Sequence, residues 1–281
     1  MGAATDDRRR PAASHRDGPA PGGRTWPWIT ALAALCYVPL LLTHRGTLTA
    51  DTKQYLYLDP AQLLRSAPDL WNARLSGGTV THQYIGYLWP MGPFFRVAEL
   101  LGLPDWLAQR LWTGSILFVA ALGAFTLFRA LWGERRAAFT GGLLYGLSPF
   151  VLGMISGQSA LLLPFCALPW LILATRTALR GDPWRWAAVY ALVVTSAGSL
   201  NGSSIFFVVV GSMLFVPYAV CWERSVVGRA FESACRSSGL VLSLRNSQRA
   251  IALTVLGLAG LAAAGVAALV RRSPRLGTAT G

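Results

Sequence analysis

The chain has 281 residues, 53% of them hydrophobic and only 13% charged, whereas a soluble domain carries about 25% charged residues, so a soluble enzyme is excluded. Lysine and arginine outnumber the acids 25 to 12, for a net charge of +13, and Lys53 is the only lysine. The arginines lie between apolar runs instead of forming one basic face, which excludes a nucleic-acid binder and points to charge-directed membrane topology.

In chain order, residues 1–25 are Pro, Gly, Ala and Arg without helical periodicity and are expected to form a disordered basic tail. The apolar run 26–43 follows. It is longer than a signal-peptide core and lacks a small-x-small cleavage site, so it reads as an uncleaved first span. Further runs lie at 111–132, 137–155, 159–179, 186–200, 205–222 and 250–270. Most approach the length of about 20 residues that crosses the hydrocarbon. The fifth does so only by borrowing residues at its ends. Pro149, Pro164 and Pro169 fall inside these runs, which bundled membrane helices tolerate because neighbours satisfy the freed carbonyls. Trp26, Trp28, Trp112, Trp132, Trp184, Trp186 and Trp222 fall at span ends, where indoles anchor at the interface. Gly141-Gly142 and the pair Gly153 and Gly157 are expected to permit close helix packing. The fold class is therefore an all-α polytopic membrane bundle with a long first loop containing short interfacial helices. Of the four cysteines, Cys36, Cys166, Cys221 and Cys235, none has metal-type spacing, and those in apolar runs read as small buried thiols.

The arginines set the expected orientation. The tail, the loop at Arg135 and Arg136, the loop at Arg176, Arg180 and Arg185, and the basic segment 223–249 share one side. The short opposite loops at 157–158 and 201–204 carry none. The positive-inside rule then puts the N-terminus in the cytoplasm and the loop 44–109 outside. Arg271, Arg272 and Arg275 disagree if 250–270 is a simple seventh span, so either it does not cross as one or the chain is an atypically ended fragment.

The loop 44–109 holds Asp51, Asp59, Asp69, Glu99 and Asp105, and the histidines His44 and His82. A loop of this length in a compact protein is usually functional. Asp59-Pro60 and Ala67-Pro68 look like starts of short helices, and the aromatic stretch 84–101 looks like helices lying in the interface. Asp51 is the residue with two readings. It can cap a helix over 52–57, or act as general base at the membrane surface, taking the proton of a sugar hydroxyl as that hydroxyl attacks an anomeric carbon. A lipid-phosphate leaving group needs cations, for which Lys53, Arg74 and Arg110 are the candidates. Asn72, His82, Gln83 and Tyr84 complete the candidate substrate-binding set. A two-histidine metal site from His44 and His82 has the ligand types but no motif.

Several segments carry a resemblance: Ala50-Asp51-Thr52-Lys53, Leu70-Trp71-Asn72, the run Gly86-Tyr87-Leu88-Trp89-Pro90-Met91-Gly92-Pro93-Phe94-Phe95, and Gln109-Arg110-Leu111-Trp112. Gly146-Leu147-Ser148-Pro149-Phe150 and Gly157-Gln158-Ser159-Ala160-Leu161-Leu162-Leu163-Pro164-Phe165 add to it. Together, from about residue 26 to about 225, they resemble the N-terminal GT-C membrane domain of the actinobacterial α-(1→3)-arabinofuranosyltransferase family. The resemblance implies transfer of arabinofuranose from decaprenyl-phosphoryl-β-D-arabinofuranose to a cell-envelope arabinan as an α-(1→3) branch. The reaction inverts, with Asp51 matching the family's first-loop acid. It implies a lipid-linked donor and an arabinan acceptor as partners, a plasma-membrane location with an extracytoplasmic site, and no nucleic acid. No cofactor follows with certainty, and a divalent cation is compatible with it. Family proteins are several times longer, with further spans and carbohydrate-binding modules. The alternatives are a non-catalytic GT-C fragment or envelope scaffold, and a transporter of lipid-linked sugar. A transporter would place ionisable residues near the span midplane. Here only Arg129 and Arg176 lie in the runs, both near the ends.

Overall fold

The computed structural model describes residues 24–51, 58–66, 68–69, 71–73, 77–80, 88–198, 206, 209–216, 256 and 259–268. Helix α1 spans Trp26–Leu42, with Pro27 in its first turn, where a missing N–H costs nothing. Thr43, in extended conformation, ends it. The first loop follows with α2 (Pro60–Ser66), a two-residue antiparallel pair β1 (Trp71–Asn72) and β2 (Thr79–Val80), and α3 (Met91–Leu100). The Asp59 carboxylate accepts from the Gln62 amide at 2.8 Å, the cap that starts α2. The expected helix start at Ala67-Pro68 does not occur. Pro68 is in a turn, and the Asp69 amide donates to the Ser66 carbonyl at 3.0 Å as the chain leaves α2.

The main span is α4, Asp105–Trp132, and it starts six residues before the apolar run that announces it. The run begins at Leu111 because Asp105, Gln109 and Arg110 are polar, yet they continue the same helix. Its 28 residues extend about 42 Å at 1.5 Å per residue, more than the roughly 30 Å of hydrocarbon. Length is thus left over for polar ends. Gly133 with φ 76° closes the helix in the left-handed region, where glycine carries no Cβ penalty.

Glu134 then caps α5 (Arg135–Gly146), accepting from the Arg136 and Ala137 amides. The third apolar run is not one straight helix. It is α5 followed by α6 (Pro149–Ile155), bent by 41° at the break before Pro149, since proline disfavours a helical residue ahead of it. A 3-10 turn at Ser159–Leu162 leads into α7 (Leu163–Ala178). Helix α8 (Pro183–Gly198) starts under an Asp182 cap on the amides of Trp184 (3.0 Å) and Arg185 (3.3 Å), and so gains length at its N-terminal end. Residues 209–216 and Ala259–Ala268 are also helical. Among the described residues two helices, α4 and Ser159–Ala178, are long and apolar enough to cross a membrane, and three if the bent pair counts as one span. The tail before Arg24, the basic segment 223–249 and the end 271–281 lie outside the described residues.

Helix α4 is the centre of the bundle. It packs against α1, α5 and α7, and α8 lies on α7. The α4–α5 contact is close because the facing residues are small. A Cβ on Gly142 would lie 2.8 Å from the Ala121 carbonyl oxygen, and one on Gly146 would lie 2.6 Å from the Ala121 Cβ. Gly153 and Gly157 do not have this role, since nothing lies within 4 Å of their would-be Cβ positions. Tyr145 stacks on Phe165 with centroids 4.2 Å apart and donates its hydroxyl to the Phe165 carbonyl at 2.7 Å. Cys36 and Cys166 are free, buried thiols. Trp112 is not an interfacial anchor. It is buried two turns into α4, against Phe94 and Phe95 of α3. Trp26 and Trp184 are exposed at span ends, as expected.

Candidate functional site

The site forms where the chain leaves α1. His44 has φ 45° and Gly46 φ 80°, so two left-handed residues turn the backbone sharply. Residues 47–51 then run along the first turns of α4. The Gln109 side chain, 1% exposed, pairs with Thr49 as a neighbouring strand would. The Thr49 amide donates to Gln109 Oε1 at 2.8 Å, and Gln109 Nε2 donates back to the Thr49 carbonyl at 3.0 Å. The Asp51 amide donates to the same Thr49 carbonyl at 2.8 Å, tightening the chain just before the acid.

Asp51 itself is 5% exposed. Its Oδ2 accepts a short hydrogen bond from the Ser159 hydroxyl at the start of the 3-10 turn. A carboxyl group held this far from water requires hydrogen-bond partners, because a buried polar group left without them is costly. Next along α4, Arg110 is 7% exposed. One Nη2 proton reaches the Thr47 carbonyl at 3.5 Å, a weak contact. Its Nε finds no hydrogen-bond partner among the described residues. A buried guanidinium with an unmatched donor has the chemistry to hold an anion.

The structure therefore brings Asp51 and Arg110, two of the sequence candidates, to one end of the bundle beside Gln109 and Ser159. Asn72 lies in β1, where its backbone pairs with Thr79. Lys53, Arg74, His82, Gln83 and Tyr84 lie outside the described residues, as does the segment 52–57 that Asp51 would cap. Sequence reasoning missed Gln109 and Ser159 as site residues. Both stood within motifs carrying the resemblance, but a glutamine or serine on its own carries no chemical signal. Among the described residues no three His, Cys, Asp or Glu side chains gather as a metal site would require, and His82 of the candidate pair lies outside them.

The α8 end closes on the same side, where the Trp89 indole donates to the Ser196 hydroxyl at 2.9 Å. At the opposite end Arg129 donates to Thr25 at 3.0 Å. The N-terminal GT-C domain of α-(1→3)-arabinofuranosyltransferase matches residues 35–234, which include Asp51, Gln109, Arg110 and Ser159. The chain belongs to this family. It is similar to the α-(1→3)-arabinofuranosyltransferase of Mycobacterium tuberculosis, 35% identical over 179 residues, covering 62% of this chain and 13% of that protein. The Mycolicibacterium smegmatis enzyme of the same description is 34% identical over 170 residues, covering 60% of this chain and 12% of that protein. The cryo-EM structure of arabinofuranosyltransferase AftD from mycobacteria superposes with a TM-score of 0.63 at 27% identity, over 69% of this chain and 15% of that one. This chain thus spans about an eighth of the length of the curated relatives it matches. Its fold is that of a GT-C membrane domain.

Proposed function

We propose that this chain transfers arabinofuranose from a polyprenyl-phosphate donor, decaprenyl-phosphoryl-β-D-arabinofuranose, to an arabinan acceptor as an α-(1→3) branch. The observation that carries the proposal is Asp51, a buried first-loop carboxylate with an oriented hydrogen bond, at the end of a bundle whose family is named for this reaction. The acceptor hydroxyl oxygen attacks the anomeric carbon while the bond from that carbon to the phosphate oxygen breaks. The bonding pair leaves with polyprenyl phosphate, and Asp51 takes the hydroxyl proton. One displacement inverts β to α, so a single base suffices. The leaving phosphate is already an anion and needs positive charge, not a proton. Arg110 supplies that charge through its unmatched Nε and remaining Nη protons, two parallel donors on phosphate oxygens. Lys53, Arg74, Asn72, His82, Gln83 and Tyr84 are the further substrate contacts in this proposal.

The site end faces outside and the arginine end the cytoplasm, because arginine favours the untranslocated side. A location at the plasma membrane is part of the same proposal and rests on the family resemblance. The test is direct. Purified chain in liposomes, given radiolabelled decaprenyl-phosphoryl-arabinofuranose and an arabinan oligosaccharide, should release a product with a new α-(1→3) linkage. No transfer above an empty-liposome control would overturn the enzyme reading in favour of a non-catalytic scaffold.

A further inference from the structure

Three separate stretches of chain meet at Asp51. Gln109 comes from the second turn of α4, the most closely packed helix of the bundle. Ser159 opens the 3-10 turn ahead of α7, 108 residues after Asp51. Both are 1% exposed. A buried glutamine whose amide pairs with both the N–H and the C=O of one residue fixes that residue's backbone from both sides. That residue is Thr49, whose carbonyl also receives the Asp51 amide, so the restraint passes directly to the Asp51 backbone. Ser159 then fixes the other end of the residue, binding one carboxylate oxygen and so setting the plane of the group.

We infer that Gln109 and Ser159 are positioning residues that aim the Asp51 carboxylate, the amide by holding its backbone and the hydroxyl by holding its Oδ2. The inference rests on the reading of Asp51 as the base and adds what keeps that base in register. The need is physical. Asp51 lies past the turn at His44 and Gly46, in chain outside any helix, whereas proton transfer requires a heavy-atom approach of roughly 2.6–3.2 Å. Loop residues become precise by borrowing the rigidity of neighbouring helices. Gln109 borrows it from α4 and Ser159 from the start of α7. Neither residue touches the donor or the acceptor in this assignment, so neither should govern binding.

The test is steady-state transfer by the full 281-residue chain in liposomes, with Ser159→Ala, Ser159→Thr, Gln109→Met and Asp51→Asn at matched insertion. Ser159→Ala and Gln109→Met should each lower kcat about 10–100-fold, the effect of losing a hydrogen bond to or around a charged group, with donor KM changed less than about twofold. Ser159→Thr keeps the hydroxyl and should recover kcat above the alanine variant. In the Asp51→Asn background, Ser159→Ala should bring no further loss, because a residue acting through another has nothing left to position. Wild-type kcat in both Ser159→Ala and Gln109→Met, beside an inactive Asp51→Asn, overturns the positioning assignment and leaves the base in place. A full additional loss in the Asp51→Asn background also overturns it, showing a structural role independent of the acid. Near-wild-type turnover in Asp51→Asn overturns the catalytic reading, and this assignment with it.

Discussion

The two ends of the bundle use polar residues in opposite ways. At the arginine end, Arg129, Arg180 and Arg185 are exposed, and Arg135 and Arg136 only half-buried. Arg129 reaches Thr25 across the surface. At the site end Asp51, Gln109, Arg110 and Ser159 are all more than nine-tenths buried. An exposed charge interacts with water and the membrane potential, and its neighbours matter little. A buried polar group depends on each partner it has. In the proposed reading the first arrangement serves topology, where the count of charges suffices, and the second serves chemistry, where geometry decides.

Substitutions at the two ends should therefore differ sharply. The largest effect is expected for Asp51→Asn, which keeps the shape but removes the base, and transfer should fall about 10²–10⁴-fold with insertion unchanged. Turnover near that of the wild type in the lipid-donor assay would make Asp51 a structural acid. Orientation gives an all-or-none readout. A cysteine at Leu101, exposed in the turn after α3, should react with a membrane-impermeant maleimide in intact cells, and a cysteine at Gly181 only after permeabilisation. The reverse pattern would invert the ends.

A smaller contrast separates two arginines. Arg110→Lys keeps the charge but loses the planar fork, so donor KM should rise roughly tenfold. Arg129→Lys should leave it unchanged. Loss of function in Arg110→Ala alone would mean that charge, not fork geometry, is required. Between the ends, Tyr145→Phe removes the bond to the Phe165 carbonyl and keeps the ring stack, which should cost about 1 kcal/mol in unfolding free energy. The smallest effect is expected for Arg129→Gln, within about 0.5 kcal/mol of the wild type. A larger loss would show that the arginine end is a structured contact as well as a topological signal.

How legible the molecule was followed the same division. Apolar runs located α1, α4, α5, α7 and α8, because hydrophobic length is a property of the local sequence. The start of α4 was misplaced because helix continuity into water leaves no apolar trace: Asp105 and Gln109 read as loop. The break at Pro149 was tolerated in the sequence reading but bends the span by 41°, since a proline's effect depends on what surrounds it. Trp112 was assigned to the interface by its place in a run, and the packing of α3 over α4 buries it instead.

By itself the sequence determined that this is a helical membrane bundle, where its arginines cluster, and that an acid follows the first span. Motif resemblance added the family. Only the tertiary structure decided which polar groups meet that acid. Gln109 lies 60 residues from the Thr49 peptide it holds, and Ser159 lies 108 residues from Asp51. Nothing in the local composition of either segment signals the other. Their meeting depends on how α4 packs against α1 and α7, and helix packing is settled by small residues and shape over the whole bundle. The hydrophobic effect fixes which segments enter the membrane and is blind to direction. Hydrogen-bond geometry, which is directional, exists only once the helices have docked.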